Sequence, residues 1–327
     1  MNNFTYIKTQ SLDEALQTLQ TTAGAAILAG GTDLIPLVKD DIASPLALVD
    51  ISSWKEGSRI EPREGGLHIG PLTTLSAIAS NETVRAQYPA LAQACELAAS
   101  PQLRNMGTLG GNLLQQTRCW YYRGPYNCWL KGGDTCYARQ GENEYHSIFA
   151  TDPQSSPCVS AHPSDPAVAL LALDAQVRFR TPSAEQAIPL DQLYALPTPT
   201  RRTFVTLPEG AIITAITLPP AHPYSKSTYV KAMARAAWAF SLAGVAIDLQ
   251  LDGSQIQTAR VALGGVAPIP FRPPQLEAAL TNSNPNDLDP DDLASLLTQD
   301  ARPLSHNRYK IRLLKGIFKE ALGNVLG

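Results

Sequence analysis

Ala29-Gly30-Gly31-Thr32-Asp33 follows the apolar run AAIL (residues 25–28) and opens TDLIPLVKDDIA (residues 32–43), so two adjacent glycines sit where a strand hands over to a helix. Glycine there lets a ligand approach the backbone closely, and the N–H groups at a helix start favour an anion such as phosphate. No lysine follows in the Walker arrangement and the spacing is not GxGxxG, so neither of those nucleotide motifs applies. A second loop, Gly107-Thr108-Leu109-Gly110-Gly111-Asn112, again joins paired glycines to small hydrogen-bonding side chains. Alone, each loop reads as a tight turn. Together they can clamp the two halves of a diphosphate without a charged side chain.

Outward from the first loop, the chain opens strand, helix, strand, helix, strand: FTYIKT, SLDEALQTLQ, AAILAGG, TDLIPLVKDDIA, LALVDI. Ser11 followed three residues later by Glu14 is a capping-box signature for the first helix. GLHIG leads into PLTTLSAIAS, and PALAQACELAA forms a helix in which Cys95 reads as a small core residue. Regular structure lapses over residues 115–163 and resumes with PSDPAVALLALDA, where Ser164 caps a helix with Pro166 in its first turn. After AIITAITLP, the proline-containing LPPAHPYS reads as a linker. Beyond it lie STYVKAM, a hairpin of GVAIDLQL and QTARVALGGV turning at Asp252 and Gly253, and closing helices. The last of these places Ile311, Leu314, Ile317, Phe318 and Leu322 on one face. The expected division is an N-terminal subdomain over residues 1–60, a second over 61–220 carrying the irregular stretch, and a smaller α+β domain over 221–327.

With 327 residues, 44% of them hydrophobic, the chain can bury substantial cores in two or three units. Its 26 basic and 29 acidic residues leave a net charge of −3 with no basic cluster, which argues against nucleic acid as a partner. No segment approaches the roughly 20 apolar residues of a membrane span, and the first ten residues lack the pattern of an export signal. The expectation is a cytoplasmic protein, with a periplasmic place open to it through export with a partner subunit.

Four of the five cysteines, Cys119, Cys128, Cys136 and Cys158, crowd into the irregular stretch. That grouping points to a metal before it points to disulfides. The spacing matches neither the short runs of bacterial ferredoxins nor the CxxC knuckles of structural zinc, so it does not name the metal. Either His146 or His162 could stand in for a cysteine. Trp120, Tyr121, Tyr122 and Trp129 read as shielding or partner-packing residues.

The order AGGTDL, IGPLTT, RNMGTLGGN, SDPAVALLALDAQV, TYVKAMARAAWAFSLAGVA, ARVALGGVAPIPFR resembles the flavoprotein subunit of the xanthine oxidase and carbon monoxide dehydrogenase family over nearly the whole chain. The resemblance implies an α+β fold: a two-part FAD-binding domain of the vanillyl-alcohol-oxidase type and a smaller α+β C-terminal domain. It implies that Ala29, Gly30, Gly31, Thr32 and Asp33, with Thr108, Gly110, Gly111 and Asn112, line the FAD diphosphate, and that Gly70, Thr73 and Thr74 lie on the cofactor surface. Asp165 matches an acidic residue near the flavin and Lys231 a basic residue from the final domain. By their residue types alone, Asp165 could simply favour a helix start and Lys231 could be a solvated strand residue.

TRCWYYR, CWLKGGDTC and the later cysteine before the SD motif resemble one branch of this family. That branch includes the beta subunit of 4-hydroxybenzoyl-CoA reductase and the FAD subunit of the periplasmic aldehyde oxidoreductase. It implies a [4Fe–4S] cluster on the four cysteines, ahead of zinc and of two disulfides. It also implies a large molybdenum-cofactor subunit and a small [2Fe–2S] subunit as partners, with FAD exchanging electrons with an external acceptor. The protein's task is then to hold and tune the flavin rather than to supply a nucleophile. The alternatives are a free-standing FAD oxidoreductase, for which the chain offers no convincing acid–base set, and a zinc-stabilised interaction module.

Overall fold

The computed structural model describes residues 2–63, 65–154 and 156–327. Strands Thr5–Lys8, Ala25–Leu28 and Ala47–Asp50 form a parallel sheet with the third strand in the middle. Helices Leu12–Thr21 and Leu34–Lys39 make the crossovers that parallel pairing requires. The first helix is capped as its sequence indicates: the Ser11 hydroxyl accepts from the Glu14 N–H at 3.2 Å. The Glu14 carboxylate reaches one residue beyond the usual capping box, to the Gln10 N–H at 2.7 Å. The first double-glycine loop leaves the C-terminal end of this sheet, the edge at which open parallel sheets bind ligands.

A second sheet of five antiparallel strands runs, edge to edge, Ile60–Arg63, Gly66–Ile69, Ile212–Leu218, Gln176–Arg180, Glu185–Pro189. Helices Leu75–Ser80, Pro89–Leu97 and Asp165–Ala172 share one core with it, and Cys95 is fully buried there. Burial raises the Cys95 thiol pKa far above its ordinary value, as suits an inert core residue.

The C-terminal sheet is an antiparallel meander of Ser225–Met233, Ser241–Asp252 and Gln255–Gly264, its last hairpin turning at Gly253 with φ 58°. Alternation along these strands sends Tyr229, Ala246 and Ala262 into the core beneath the flanking helices. The opposite face, with Val245, Ile247, Val261 and Leu263, packs under helix Tyr309–Leu326. Among the described residues no helix is long and apolar enough to cross a membrane.

That last helix departs from its sequence pattern in one respect. Ile311 is only partly buried, whereas Lys310 is fully buried and donates from Nζ to the Gly265 carbonyl at 2.7 Å and the Tyr145 carbonyl at 3.0 Å. Two backbone acceptors outweigh the apolar period at that position. Burial lowers the Lys310 pKa from its ordinary 10.5 to about 7. Between these values the unfolded chain holds a proton that the folded chain does not. Stability therefore rises with pH across that window, by at most about 1.4 kcal/mol per pH unit. Urea unfolding of Lys310→Met at two pH values inside the window is expected to lack this contribution, and an identical rise in both proteins would contradict it.

Candidate functional site

The two double-glycine loops face each other across a cavity of about 580 Å³, within the range of cofactor sites. They also touch. A Cβ on Gly30 would fall 1.9 Å from the Met106 carbonyl oxygen, so only glycine permits this approach. Gly31 adopts φ +68°, the left-handed region that glycine enters without strain. The second loop is held from behind by backbone pairing: Leu109 N–H donates to Thr73 O at 2.9 Å, Gly110 N–H to Pro71 O at 2.8 Å, and Leu75 N–H to Gly107 O at 3.0 Å.

Ala29, Gly30, Gly31, Thr32, Asp33, Thr108, Gly110, Gly111, Asn112 and Asp165 all lie on the cavity wall. Gly70, Thr73, Thr74 and Lys231 do not; Pro71, Leu72 and Leu75 line it in that region instead. Thr74 caps helix Leu75–Ser80 by accepting from the Ala77 N–H at 3.2 Å and forms a bridge with Thr108. Thr73 and Thr74 thus shape the second glycine loop from behind, while Pro71 and Leu72 face the cavity. Lys231 reaches the site only through Asp165, to whose Oδ2 it donates at 2.8 Å. Its side chain is 1% exposed, so it is no solvated strand residue. Tyr229 donates to Asp165 Oδ1 at 2.6 Å, so two groups of the C-terminal sheet fix a carboxylate carried by the preceding helix. Ser164 caps that helix, accepting from the Ala167 N–H at 3.0 Å and donating to Asn112 Oδ1 at 2.5 Å.

The site also carries charge that the glycine loops did not announce. Asp33 Oδ1 accepts from Arg118 and Arg123, each at 2.7 Å, and its Oδ2 accepts from the Gln116 N–H at 2.8 Å. Asp33 therefore anchors the start of the cysteine-bearing stretch to the first glycine loop. Arg118 lies on the cavity wall with its guanidinium 4.9 Å from the Phe240 ring, and burial lowers its pKa to about 10. Trp238 and Phe240 reach the same wall from the loop after Met233. No periodicity marked Arg118, Arg123, Trp238 or Phe240; their only signal was the density of Arg and aromatic residues in TRCWYYR and ARAAWAF.

Among the described residues of 115–163 the regular structure amounts to helix Trp120–Arg123 and two single turns. Cys119, Cys128, Cys136 and Cys158 nevertheless line one small cavity, together with His146. None of the five cysteines forms a disulfide. The Cys158 thiol donates to the Ser160 hydroxyl at 3.4 Å, and interaction between the neighbouring Cys136 and Cys158 thiols lowers the Cys136 pKa to about 6 and pushes that of Cys158 up. Burial raises Cys119 to about 12 and lowers His146 to about 4. His146 Nε2 sits 3.2 Å from Cys119 Sγ, whereas His162 packs against Tyr194 away from the thiols. Tyr121, Tyr122 and Trp129 wall the cavity, and Trp120 stacks edge-on against His146 and Tyr145.

Asn143 and Asn307 tie this stretch to the turn ahead of the C-terminal helix: Asn307 Nδ2 donates to the His146 and Ser147 carbonyls at 3.1 and 3.0 Å, and His306 N–H donates to Asn143 Oδ1 at 2.9 Å. The stretch is thus built into the body of the protein.

Residues 2–221 match the family described as FAD binding domain in molybdopterin dehydrogenase, and residues 228–325 match the CO dehydrogenase flavoprotein C-terminal domain. The chain is 38% identical to the aldehyde oxidoreductase FAD-binding subunit PaoB of Escherichia coli over 96% of each protein. It is 28% identical to the glyceraldehyde dehydrogenase medium chain of Sulfolobus acidocaldarius over 98% of each. The solved carbon monoxide dehydrogenase of Hydrogenophaga pseudoflava shares the fold, with a TM-score of 0.76 at 24% identity over 99% of this chain and 98% of that one. The chain therefore belongs to the FAD-binding medium subunits of the xanthine oxidase and CO dehydrogenase family, oxidoreductase subunits of heteromeric molybdenum hydroxylases.

Proposed function

We propose that the chain holds FAD with its diphosphate between the two double-glycine loops and holds a [4Fe–4S] cluster on Cys119, Cys128, Cys136 and Cys158. In this reading it passes electrons between partner iron–sulfur centres and an external acceptor. The observation that carries the reading is the pairing of a cofactor-sized cavity, walled by Gly30, Gly31, Gly110 and Gly111, with a second cavity walled by four thiols. Ala29, Thr32, Asp33, Thr108 and Asn112 complete the diphosphate end. Asp165 presents a fixed carboxylate, and Lys231 and Tyr229 keep it in place.

The thiol set fits a polynuclear group better than a single ion. What supports a cluster is the donor set itself: four cysteine thiols and, among the described residues, no carboxylate on one cavity wall. Four thiolates around a common space suit a cluster in which each takes its own iron. The space between them is about 20 Å³, so the sulfurs must move apart on loading. Bound together, the flavin supplies two-electron capacity and the cluster one-electron exchange. The chain's residues do the remainder: they bind, orient and exclude water.

The partners proposed are a large molybdenum-cofactor subunit, which holds the substrate, and a small [2Fe–2S] subunit. Two relatives matched over nearly their full length are named for aldehyde substrates, which supports an aldehyde as the substrate class of the complex. Residues 1–60, 61–220 and 221–327 are the proposed divisions of the chain. Its place is the cytoplasm unless a partner carries the assembly to the periplasm.

Iron and sulfide analysis of anaerobically purified protein tests the cluster, with about four of each expected per FAD. Cys119→Ser, Cys128→Ser, Cys136→Ser and Cys158→Ser are each expected to deplete both, and Cys95→Ser to deplete neither. Stoichiometric zinc with negligible iron and sulfide would overturn the cluster and leave the flavin site standing.

A further inference from the structure

Of the described residues that line the two cavities, Tyr122 alone belongs to both walls. Its surroundings have the same double character. Burial raises the pKa of its hydroxyl, and the charged or ionisable groups around it come from both sides: Arg123 opposes the rise, and Cys128, Asp33 and Cys158 add to it. Its backbone is pinned from both directions. The Tyr122 N–H donates to the Cys119 carbonyl at 3.0 Å, and the next residue, Arg123, donates to Asp33 at 2.7 Å. Arg123 also holds the Thr117 carbonyl at 2.9 Å and the Gln116 carbonyl at 3.1 Å, and the Gln116 N–H donates to Asp33 at 2.8 Å, so the segment leading into helix Trp120–Arg123 is tied to the first glycine loop through Asp33.

We propose that Tyr122 is the partition through which electrons cross between the flavin site and the four-thiol site. The inference rests on reading the thiols as an iron–sulfur site. In the step itself, one electron leaves the reduced flavin, which it oxidises by one equivalent, and enters the cluster, which it reduces by one equivalent. No bond in Tyr122 forms or breaks. Its ring supplies close-packed atoms where the alternative is an under-filled gap between two cavities, and packing without voids is the ordinary condition of a protein interior. The ring, rather than the hydroxyl, is the part required. Tyr122 is in this sense a positioning and conducting residue.

The test is flash photoreduction of the flavin in the purified, cofactor-loaded chain, following electron redistribution by absorbance. It is coupled to FAD, iron and sulfide analysis and to redox titration of both centres. Tyr122→Phe and Tyr122→Trp are expected to redistribute electrons at close to the wild-type rate. Tyr122→Leu and Tyr122→Met are expected to retain both cofactors at unchanged potentials and to slow redistribution by roughly tenfold. Equal rates in the aromatic and aliphatic variants that carry both cofactors would overturn the inference while leaving the cluster in place. Wild-type protein with FAD but without iron would overturn the reading of the thiols, and the inference with it.

Discussion

Lys231→Met is expected to destabilise the folded chain by about 3–5 kcal/mol, the cost of leaving one member of a buried ion pair uncompensated. Asp165 and Lys231 have side chains 5% and 1% exposed and meet at 2.8 Å, so neither can recover solvation when the other is removed. The pair joins helix Asp165–Ala172 to the first strand of the C-terminal sheet, and the Lys231 ammonium also holds the Leu97 carbonyl at 3.0 Å. Methionine keeps most of the apolar length of the side chain and removes its charge. Asp165 is then left with the Tyr229 hydroxyl as its remaining named partner. Urea unfolding measures the loss, and Asp165→Asn combined with Lys231→Met is expected to restore part of it, since a neutral amide is cheaper to bury than a lone carboxylate. A loss below roughly 1 kcal/mol would place the pair with ordinary surface ion pairs and contradict this account.

Gly111→Val is expected to yield folded protein that has lost most of its flavin, a drop in affinity of at least about tenfold. The position discriminates because of what surrounds it. Beyond its chain neighbours and its own helix backbone, a Cβ on Gly111 meets Thr108 Oγ1 at 3.0 Å and nothing else within 4 Å, so the valine enters open space on the cavity wall. Thr108 can give slightly at the cost of a weak cap to the Gly111 N–H, now 3.3 Å long. Gly30→Val is a poor substitute, since its Cβ would strike the Met106 carbonyl and push the two loops apart, losing flavin through misfolding alone. Fluorescence of acid-released FAD, read beside the unfolding midpoint, separates the outcomes. Full flavin content in Gly111→Val protein would mean that the diphosphate does not pass this loop.

The elements were legible wherever local chemistry governs them. Ser11 and Ser164 cap their helices, Cys95 is in a core, and the hairpin turns at Asp252 and Gly253, because each depends on residues a few positions away. The glycine loops could also be read, since glycine pairs mark close approach whatever their partner. What could not be read is which distant residues meet. Asp33 pairs with Arg123, 90 residues away, and nothing in either segment encodes that distance. Lys310 is hidden for a related reason: periodicity assigns lysine to solvent, and only the carbonyls of Tyr145 and Gly265 justify its burial. Gly70, Thr73 and Thr74 were legible as neighbours of the site, but whether they form its surface or its backing depends on backbone pairing with residues 107–110. For the cysteines, the grouping was visible in the sequence, and the shared cavity, with His146 beside Cys119, belongs to the three-dimensional arrangement.

A density map of the flavin-loaded chain, by crystallography or electron cryomicroscopy, tests the central claim most directly. It is expected to show the FAD diphosphate between Gly30 and Gly31 on one side and Gly110 and Gly111 on the other, with Asp165 and Tyr122 on the wall of the same cavity. Diphosphate density outside the space between those two loops would contradict it.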